Sequence, residues 1–307
     1  MKRDFLALAQ YTPEEIKALF HLSAEIKKNP TKYKATLLNK TLAMIFMKNS
    51  TRTRVSFETG TFQMGGNAIF LSSNDIQLSR GETIHDTAKV LSRYVDGIMI
   101  RTFDHNDVVE LAKHATIPVI NGLTDLLHPC QGLTDYFSVY EKRGDLKGLT
   151  MTYIGDGNNM ANTLLVGATK VGMNITIIAP TSFSPDKEIV SLAMNEAKKM
   201  GTKINITDDI QQVKGTDVLY TDTWTSMGQE KEANMRRKAF AKYQVNANLM
   251  EMAGSDTLFM HCLPAHRGEE VTDEVIDSKN SIVFDQAENR LHCQKAIMAV
   301  LMGQVSL

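Results

Sequence analysis

The sequence predicts an α/β protein of two domains, each a mostly parallel sheet flanked by helices, with the active site in the cleft between them. Three observations carry that reading. Short runs rich in Ile, Val, Leu and Met alternate along the chain with stretches of helical periodicity, the pattern of parallel sheets covered on both faces. At 307 residues the chain exceeds what one core usually fills, so two domains of about 150 residues are expected. Hydrophobic residues make up 43% and charged residues 22%, the balance of a globular chain able to bury a core.

In the first half, strands are expected at TLAMIFM (41–47), NAIFLS (67–72), GIMIRT (97–102) and PVING (118–122), followed by the helical stretch GLTDYFSVYEKRGDL. The second half restarts with LTMTYIGD (149–156), NITIIAP (174–180), TKINITD (202–208), DVLYTDTW (217–224), TLFMHCLP (257–264) and SIVFDQ (281–286). A boundary near 145 gives domains 1–145 and 146–287. The last segment, AENRLHCQKAIMAVLMG, reads as an amphipathic helix ending at Gly303, with 288–307 packing back on the first domain.

Composition excludes several functions. A formal charge of -1 and a pI near 6.7 leave no basic field for nucleic acid or an anionic membrane, so any anion site is local. No apolar run approaches the roughly 18 residues of a membrane span. The amino terminus has no hydrophobic leader core or cleavage site and reaches helix-start chemistry at Thr12-Pro13-Glu14-Glu15, so a chain that starts as mature protein is expected. Three cysteines, Cys130, Cys262 and Cys293, argue for a reducing compartment and a cytoplasmic location rather than a disulfide framework. Each cysteine stands within two residues of a histidine, yet no C-x-x-C or H-x-x-x-H spacing occurs, and no metal is expected.

Unusual polar clusters follow the apolar runs at their carboxyl ends: Asn49 to Thr53, Gln77, Arg101, His128 to Gln131, Asp156 to Asn159, Asp222 to Gly228, His261 to Pro264, and Arg290. Ligands of open α/β sheets bind at that edge, so these clusters point to one cleft lined by both domains. NSTRTRVSFETG puts hydroxyls and an arginine at a helix start, where free N–H groups, Arg52 and Ser50, Thr51 and Thr53 suit a phosphate. The plainer reading is a capped helix with a solvated arginine. Arg54, four residues before Glu58, reads as half of a helix-surface pair.

YIGDGNNMANTLL imitates a dinucleotide fingerprint with Gly155 and Gly157. Met160 or Ala161 takes the third glycine's place, and the next strand ends in Ile-Ala-Pro without an acid for a ribose hydroxyl. A small polar ligand on Asn158 or Asn159 fits better than a nicotinamide cofactor. TDTWTSMGQEKEAN combines an acid, the only tryptophan and small residues, as a mobile lid or an ordinary turn would.

As a set, STRTR (50–54), HPCQ (128–131), DGNN (156–159), DTWTSMG (222–228) and HCLPAHRGEEV (261–271) resemble the ornithine carbamoyltransferases, in order and spacing along essentially the whole chain. STRTR and HP-x-Q also resemble aspartate carbamoyltransferase, so the acceptor is read from DxWxSMG and HCLP. The resemblance implies that residues 1–145 bind carbamoyl phosphate and 146–287 bind ornithine. Ser50, Thr51, Arg52, Thr53 and Arg101 would hold the phosphate, and His128, Gln131 and Arg290 the carbamoyl end. Gln77 would reach the site of a neighbouring subunit in a homotrimer. Asn159, Asp222, Ser226 and Met227 would take ornithine, Cys262 and Leu263 would lie where the substrates meet, and Leu263-Pro264 would be cis.

An amine attacking the carbamoyl carbon builds a tetrahedral oxyanion that donors from Thr53, Arg101 and His128 would stabilise, with no cofactor and no covalent intermediate. Arg101, His128, Asp222 and Cys262 are thus the expected catalytic residues. Cys262 is open to three readings, nucleophile, substrate contact or buried structural thiol, of which the contact is preferred. Carbamoyltransferases for N-acetylornithine, putrescine or aspartate are the nearest rivals, a nicotinamide-dependent dehydrogenase and a catalytically silent binding protein the more distant ones.

Overall fold

The computed structural model describes every residue except Met1 and Asp75, and all described side chains but that of Ser79. The chain divides into two compact units, the first running to Thr134 and including Glu288–Leu307, the second Asp135–Ala287.

The first unit opens with helix α1 (Pro13–Lys28), started by a capping box: Thr12 Oγ1 accepts from the Glu15 N–H and the Glu15 carboxylate from the Thr12 N–H, which satisfies two otherwise orphaned donors. Strand β1 (Thr41–Phe46), helix α2 (Thr51–Gln63), β2 (Asn67–Ser72), α3 (Ile84–Leu91), β3 (Gly97–Arg101), α4 (His105–His114), β4 (Val119–Leu123) and α5 (Pro129–Arg143) follow. The strands form a parallel sheet in the order β2-β1-β3-β4. Chain order reverses between β1 and β3, and a crevice opens beyond the carboxyl ends at such a reversal. Ile45, Ile98, Ile100, Val108, Leu111 and Val119 form one of the unit's apolar clusters.

The second unit contains β5 (Thr150–Ile154), α6 (Asn159–Val171), β6 (Asn174–Ile178), α7 (Lys187–Met200), β7 (Ile204–Thr207), β8 (Val218–Thr221), α8 (Ala233–Phe240), α9 (Ala247–Ala253), β9 (Leu258–His261), α10 (Asp273–Ile276) and the start of α11 (Val283–Leu301). Its sheet is parallel with the order β7-β6-β5-β8-β9. The reversal here lies between β5 and β8. Trp224, Phe240, Tyr243, Leu249 and Phe259 anchor its core, with the Trp224 and Phe240 rings stacked at 5.9 Å.

One expectation changes. SIVFDQ is not a strand: Ser281 makes a single bridge to Phe259, and α11 begins at Val283. From there the buried positions Val283, Gln286, Asn289, Arg290, Cys293 and Gln294 recur at helical rather than alternate spacing. The expected boundary near 145 compares with a division inside α5 at Thr134/Asp135. Within the second unit the buried Asp135 carboxylate accepts from Tyr220 Oη (3.2 Å) and Gln286 Nε2 (2.7 Å).

Gly157 shows why the dinucleotide-like turn is shaped as it is. Its N–H donates to the Phe183 carbonyl at 2.8 Å, and a Cβ here would lie 2.3 Å from both Pro185 N and Ser184 C. The missing side chain admits the protein's own 183–185 backbone rather than a pyrophosphate. Gly157→Ala is expected to destabilise the chain by about 1–3 kcal/mol, because backbone cannot yield as a side-chain tip can. Urea unfolding measures this, and a variant as stable as the parent would refute it.

Candidate active site

In the first unit the carboxyl ends of β1 and β3, the pair flanking the reversal, carry the residues expected to clamp an anion. Ser50 caps α2 with extended backbone, its Oγ accepting from the Thr53 N–H at 3.2 Å and donating to Thr53 Oγ1 at 3.1 Å. The Arg54 N–H goes to the Ser50 carbonyl, so the first-turn N–H groups of Thr51 and Arg52 have no acceptor within the helix. Arg54 itself pairs with Glu58, Nε to Oε2 at 3.4 Å, and stays outside the clamp as expected.

Thr53, Arg101, His128, Gln131 and Arg290 are all buried, while Arg52 and Ser50 are half-buried and Thr51 exposed. Arg290 ties three segments together: Nη1 donates to Gln131 Oε1 at 2.5 Å and Nη2 to Thr53 Oγ1 at 3.2 Å. His128 ends the β4–α5 connection, its carbonyl accepting from the Gln131 and Gly132 N–H groups. Burial first, then the charges of Arg290, Arg101 and Arg52, hold its imidazole well below the usual histidine range. His128 is therefore a neutral ring near pH 7, able to donate a hydrogen bond without adding charge. Gln77 opens an exposed 3-10 turn, Gln77–Arg80.

In the second unit the reversal brings β5 and β8 side by side, and Asn158 meets Asp222 there. Asn158 Oδ1 caps α6 by accepting from the Met160 and Ala161 N–H groups, and its Nδ2 donates to Asp222 Oδ2 at 2.9 Å. Asp222 Oδ1 accepts from the Thr223 N–H at 2.8 Å and from Cys262 Sγ at 3.0 Å. These contacts join DGNN, DTWTSMG and HCLP at one carboxylate. Asn159 is half-buried as the first residue of α6, Ser226 is half-buried, and Met227 is exposed. Gly228, with φ at 93°, turns the chain after Met227.

The loop carrying Trp224 to Gly228 is pinned at its base. Buried Arg236 on α8 donates from Nη1 to Asp156 Oδ2 (2.8 Å) and to the Trp224 carbonyl (3.1 Å), and from Nε to Glu232 (3.0 Å). Burial pushes the Asp156 carboxyl up to about 6 against the opposing pull of Arg236.

The Cys262 loop is held by the histidine before it. His261 Nδ1 accepts from the Leu263 N–H at 2.8 Å, and Nε2 lies 3.2 Å from Glu270 Oε1. A ring that accepts at Nδ1 carries its proton on Nε2, so the donor to Glu270 is fixed. Leu263 sits at φ 55° and its bond to Pro264 is cis, as the family resemblance implied. Asp222, His261 and Cys262 approach closely enough to share a cation, but both His261 nitrogens already serve the loop and the thiol serves Asp222. The same grouping arises at His266, Glu269 and Glu270, where Arg237 pairs with Glu269 at 2.7 Å and Glu270 Oε1 accepts from the His266 N–H at 2.5 Å.

The clamp residues Thr53, Arg101, His128, Gln131 and Arg290 come together as expected, and so do Asp222 and Cys262. Sequence reasoning missed the roles of Asn158 toward Asp222, Arg236 at the loop base and Glu270 behind His261. Asn158 carried a signal, since it stands in the same DGNN cluster. Arg236 and Glu270 stand in charged helical or turn sequence where solvation is the default.

Two family models cover the chain: residues 3–141 match the carbamoyl-P binding domain, and residues 147–301 the Asp/Orn binding domain, of aspartate/ornithine carbamoyltransferase. The ornithine carbamoyltransferase of Oceanobacillus iheyensis is 58% identical over 98% of this chain and 94% of its own. The structure of ornithine carbamoyltransferase from Pyrococcus furiosus superposes with a TM-score of 0.95 at 52% identity, covering 99% of this chain and 98% of that one. An N-acetyl-L-ornithine transcarbamylase structure reaches a TM-score of 0.88 at 33% identity over 97% and 99%. With both domains matched and every motif of the clamp and of the acceptor half in place, the chain belongs to the aspartate/ornithine carbamoyltransferase family.

Proposed function

We propose that the chain is an enzyme transferring the carbamoyl group of carbamoyl phosphate to the side-chain amine of L-ornithine, giving L-citrulline and phosphate in arginine biosynthesis. The observation that carries the acceptor is the Asp222 carboxylate, fixed by Asn158, Thr223 and the Cys262 thiol. That group suits the α-ammonium of an amino acid, with Asn159 and the Ser226-Met227 segment taking the α-carboxylate. Aspartate as acceptor would need a cation for its second carboxylate. Among the described residues, the buried Arg236 of the second unit is already committed to Asp156 and Glu232.

On the donor side, Ser50, Thr51, Arg52, Thr53 and Arg101 hold the phosphate, and His128, Gln131 and Arg290 the carbamoyl end, within 1–145 and 288–307. Ornithine binds within 146–287, and Cys262 with Leu263 contacts both substrates. The neutral amine attacks the carbamoyl carbon, a C–N bond forms and the C–O bond to phosphate breaks. Thr53, Arg101 and neutral His128 donate to the oxygen that becomes negative. An alkyl amine has a pKa of about 10.4 and attacks only after losing a proton, which the departing phosphate accepts. No protein base and no cofactor enters this scheme.

The proposed assembly is a homotrimer, with Gln77 entering a neighbour's site. Its exposure on the 3-10 turn supports this. The proposed location is the cytoplasm, supported by three free cysteines. No helix among the described residues is long and apolar enough to cross a membrane.

Purified protein supplied with carbamoyl phosphate should carbamoylate ornithine and leave N-acetylornithine, putrescine and aspartate essentially untouched. Absence of citrulline would sink the reading. Sedimentation velocity should give a particle of three 34.2 kDa chains, and a monomer at micromolar concentration would remove the shared-site role of Gln77. Cys262→Ser keeps a donor to Asp222, so turnover should survive with the ornithine KM raised roughly tenfold, about one hydrogen bond's worth. A folded variant with no activity would instead make the thiol indispensable.

Asp156 sets a pH dependence of stability. Its folded pKa, about 6, lies above the ordinary 3.8, so between these values the folded chain binds the extra proton. The contribution of this group to stability is present at low pH and is lost as pH rises from about 4 to about 6. Asp156→Asn should lack that downward slope in denaturant titrations across the interval, and identical slopes would overturn the assignment.

A further inference from the structure

Arg290 and Gln294 are four residues apart on α11 and share one face of it. Both are buried, Gln294 completely. With its amide oriented so that oxygen and nitrogen both find partners, Gln294 Oε1 accepts from Arg290 Nη2 (2.8 Å) and Nε (3.1 Å), and its Nε2 donates to Ser56 Oγ (2.5 Å). Ser56 Oγ in turn donates to the Arg52 carbonyl at 2.6 Å. Every donor in this relay points the same way, from the Arg290 guanidinium through Gln294 and Ser56 to the backbone of the first turn of α2.

The relay bonds one edge of the guanidinium, Nε with Nη2, while Nη1 reaches Gln131. A planar fork held on two edges cannot turn about its Cδ–Nε bond. Gln294 is also a neutral acceptor. A carboxylate in its place would form a buried ion pair with Arg290 and cancel the charge the clamp presents. The competing explanation is simple filling of the α2–α11 contact, which is tight enough that a Cβ on Gly60 would lie 3.1 Å from Lys295 Cγ and 3.2 Å from Met298 Cε. A side chain of similar size without hydrogen bonds would serve that purpose equally well.

We infer that Gln294 is a positioning residue for the transfer reaction: it fixes the plane of Arg290 toward the carbamoyl end of the donor while leaving its charge intact. The inference rests on the proposed reading of the clamp as a carbamoyl phosphate site.

The test compares wild type with Gln294→Met, Gln294→Glu and Ser56→Ala, reading calorimetric affinities for carbamoyl phosphate and inorganic phosphate, both substrate KM values and the melting temperature. In Gln294→Met, carbamoyl phosphate affinity should fall roughly 10- to 100-fold, the usual scale for losing a group that orients a ligand-binding side chain. Inorganic phosphate affinity and the ornithine KM should stay within about threefold, because the loss is confined to the carbamoyl end. Ser56→Ala should shift carbamoyl phosphate affinity the same way by a few-fold. Gln294→Glu should also weaken it, most at low ionic strength.

Unchanged carbamoyl phosphate affinity in Gln294→Met, or an equal loss for both anions, would leave only a packing role and overturn the inference. If Gln294→Met does not fold, Gln294→Glu and Ser56→Ala decide by the same ratio of the two affinities. Wild type that binds carbamoyl phosphate but makes no citrulline would refute the proposed reaction while leaving the positioning comparison intact.

Discussion

Positive charge concentrated in a dry place is the constraint on which the first unit depends. The chain as a whole is nearly neutral, at -1, yet Arg52, Arg101 and Arg290 all act on the buried His128 ring. Like charges a few Å apart repel by roughly 2–4 kcal/mol at an effective dielectric near 20, so such a cluster holds only if each cation is tied down or shielded. Arg290 is tied to Gln131, Thr53 and Gln294, all neutral acceptors. His128 stays uncharged instead of adding a fourth cation. In the proposed reading that electrostatic cost is relieved when a phosphate dianion enters, and binding of the donor gains from that relief.

The second unit inverts the sign. Its centre is a carboxylate, Asp222, held by an amide, a backbone N–H and a thiol, none of which neutralises it. The buried Arg236 is directed to Asp156 and to the Trp224 carbonyl, where it steadies the loop. Cationic and anionic clusters thus arise on two parallel sheets, each at the strand pair where chain order reverses. That reversal explains why both clusters stand at strand carboxyl ends. The opposite chemistry comes from a handful of side chains at those ends.

Those ends were legible in the sequence because the signals there are local. Ser50 precedes a helix start with the right cap chemistry, Gly155 and Gly157 follow a strand, and the apolar runs place the observed strands to within three residues at either end. SIVFDQ misled for a physical reason: Ser281 and Ile282 do touch β9, and only the buried spacing from Val283 onward reveals a helix. The roles of Asn158, Arg236, Glu270 and Gln294 were not legible, because each acts through a partner remote in sequence or hidden by helix geometry. Gln294 reads as an ordinary polar residue until α11 is docked against α2. Glu270 reads as one more surface acid until its carboxylate is found buried against His261.

The acceptor is decided at a finer scale than the fold. An N-acetyl-L-ornithine transcarbamylase shares this backbone at a TM-score of 0.88, so sheet order and domain plan say nothing about which amine is carbamoylated. The acceptors differ in the charge of the α-nitrogen: a free α-ammonium calls for an anionic partner, and an acylated nitrogen does not. A site built to bond a charged group rejects the analogue lacking it far more strongly than an apolar pocket rejects an extra methylene. Asp222, with Asn158 and Cys262 on its two oxygens, is the group proposed to make that discrimination.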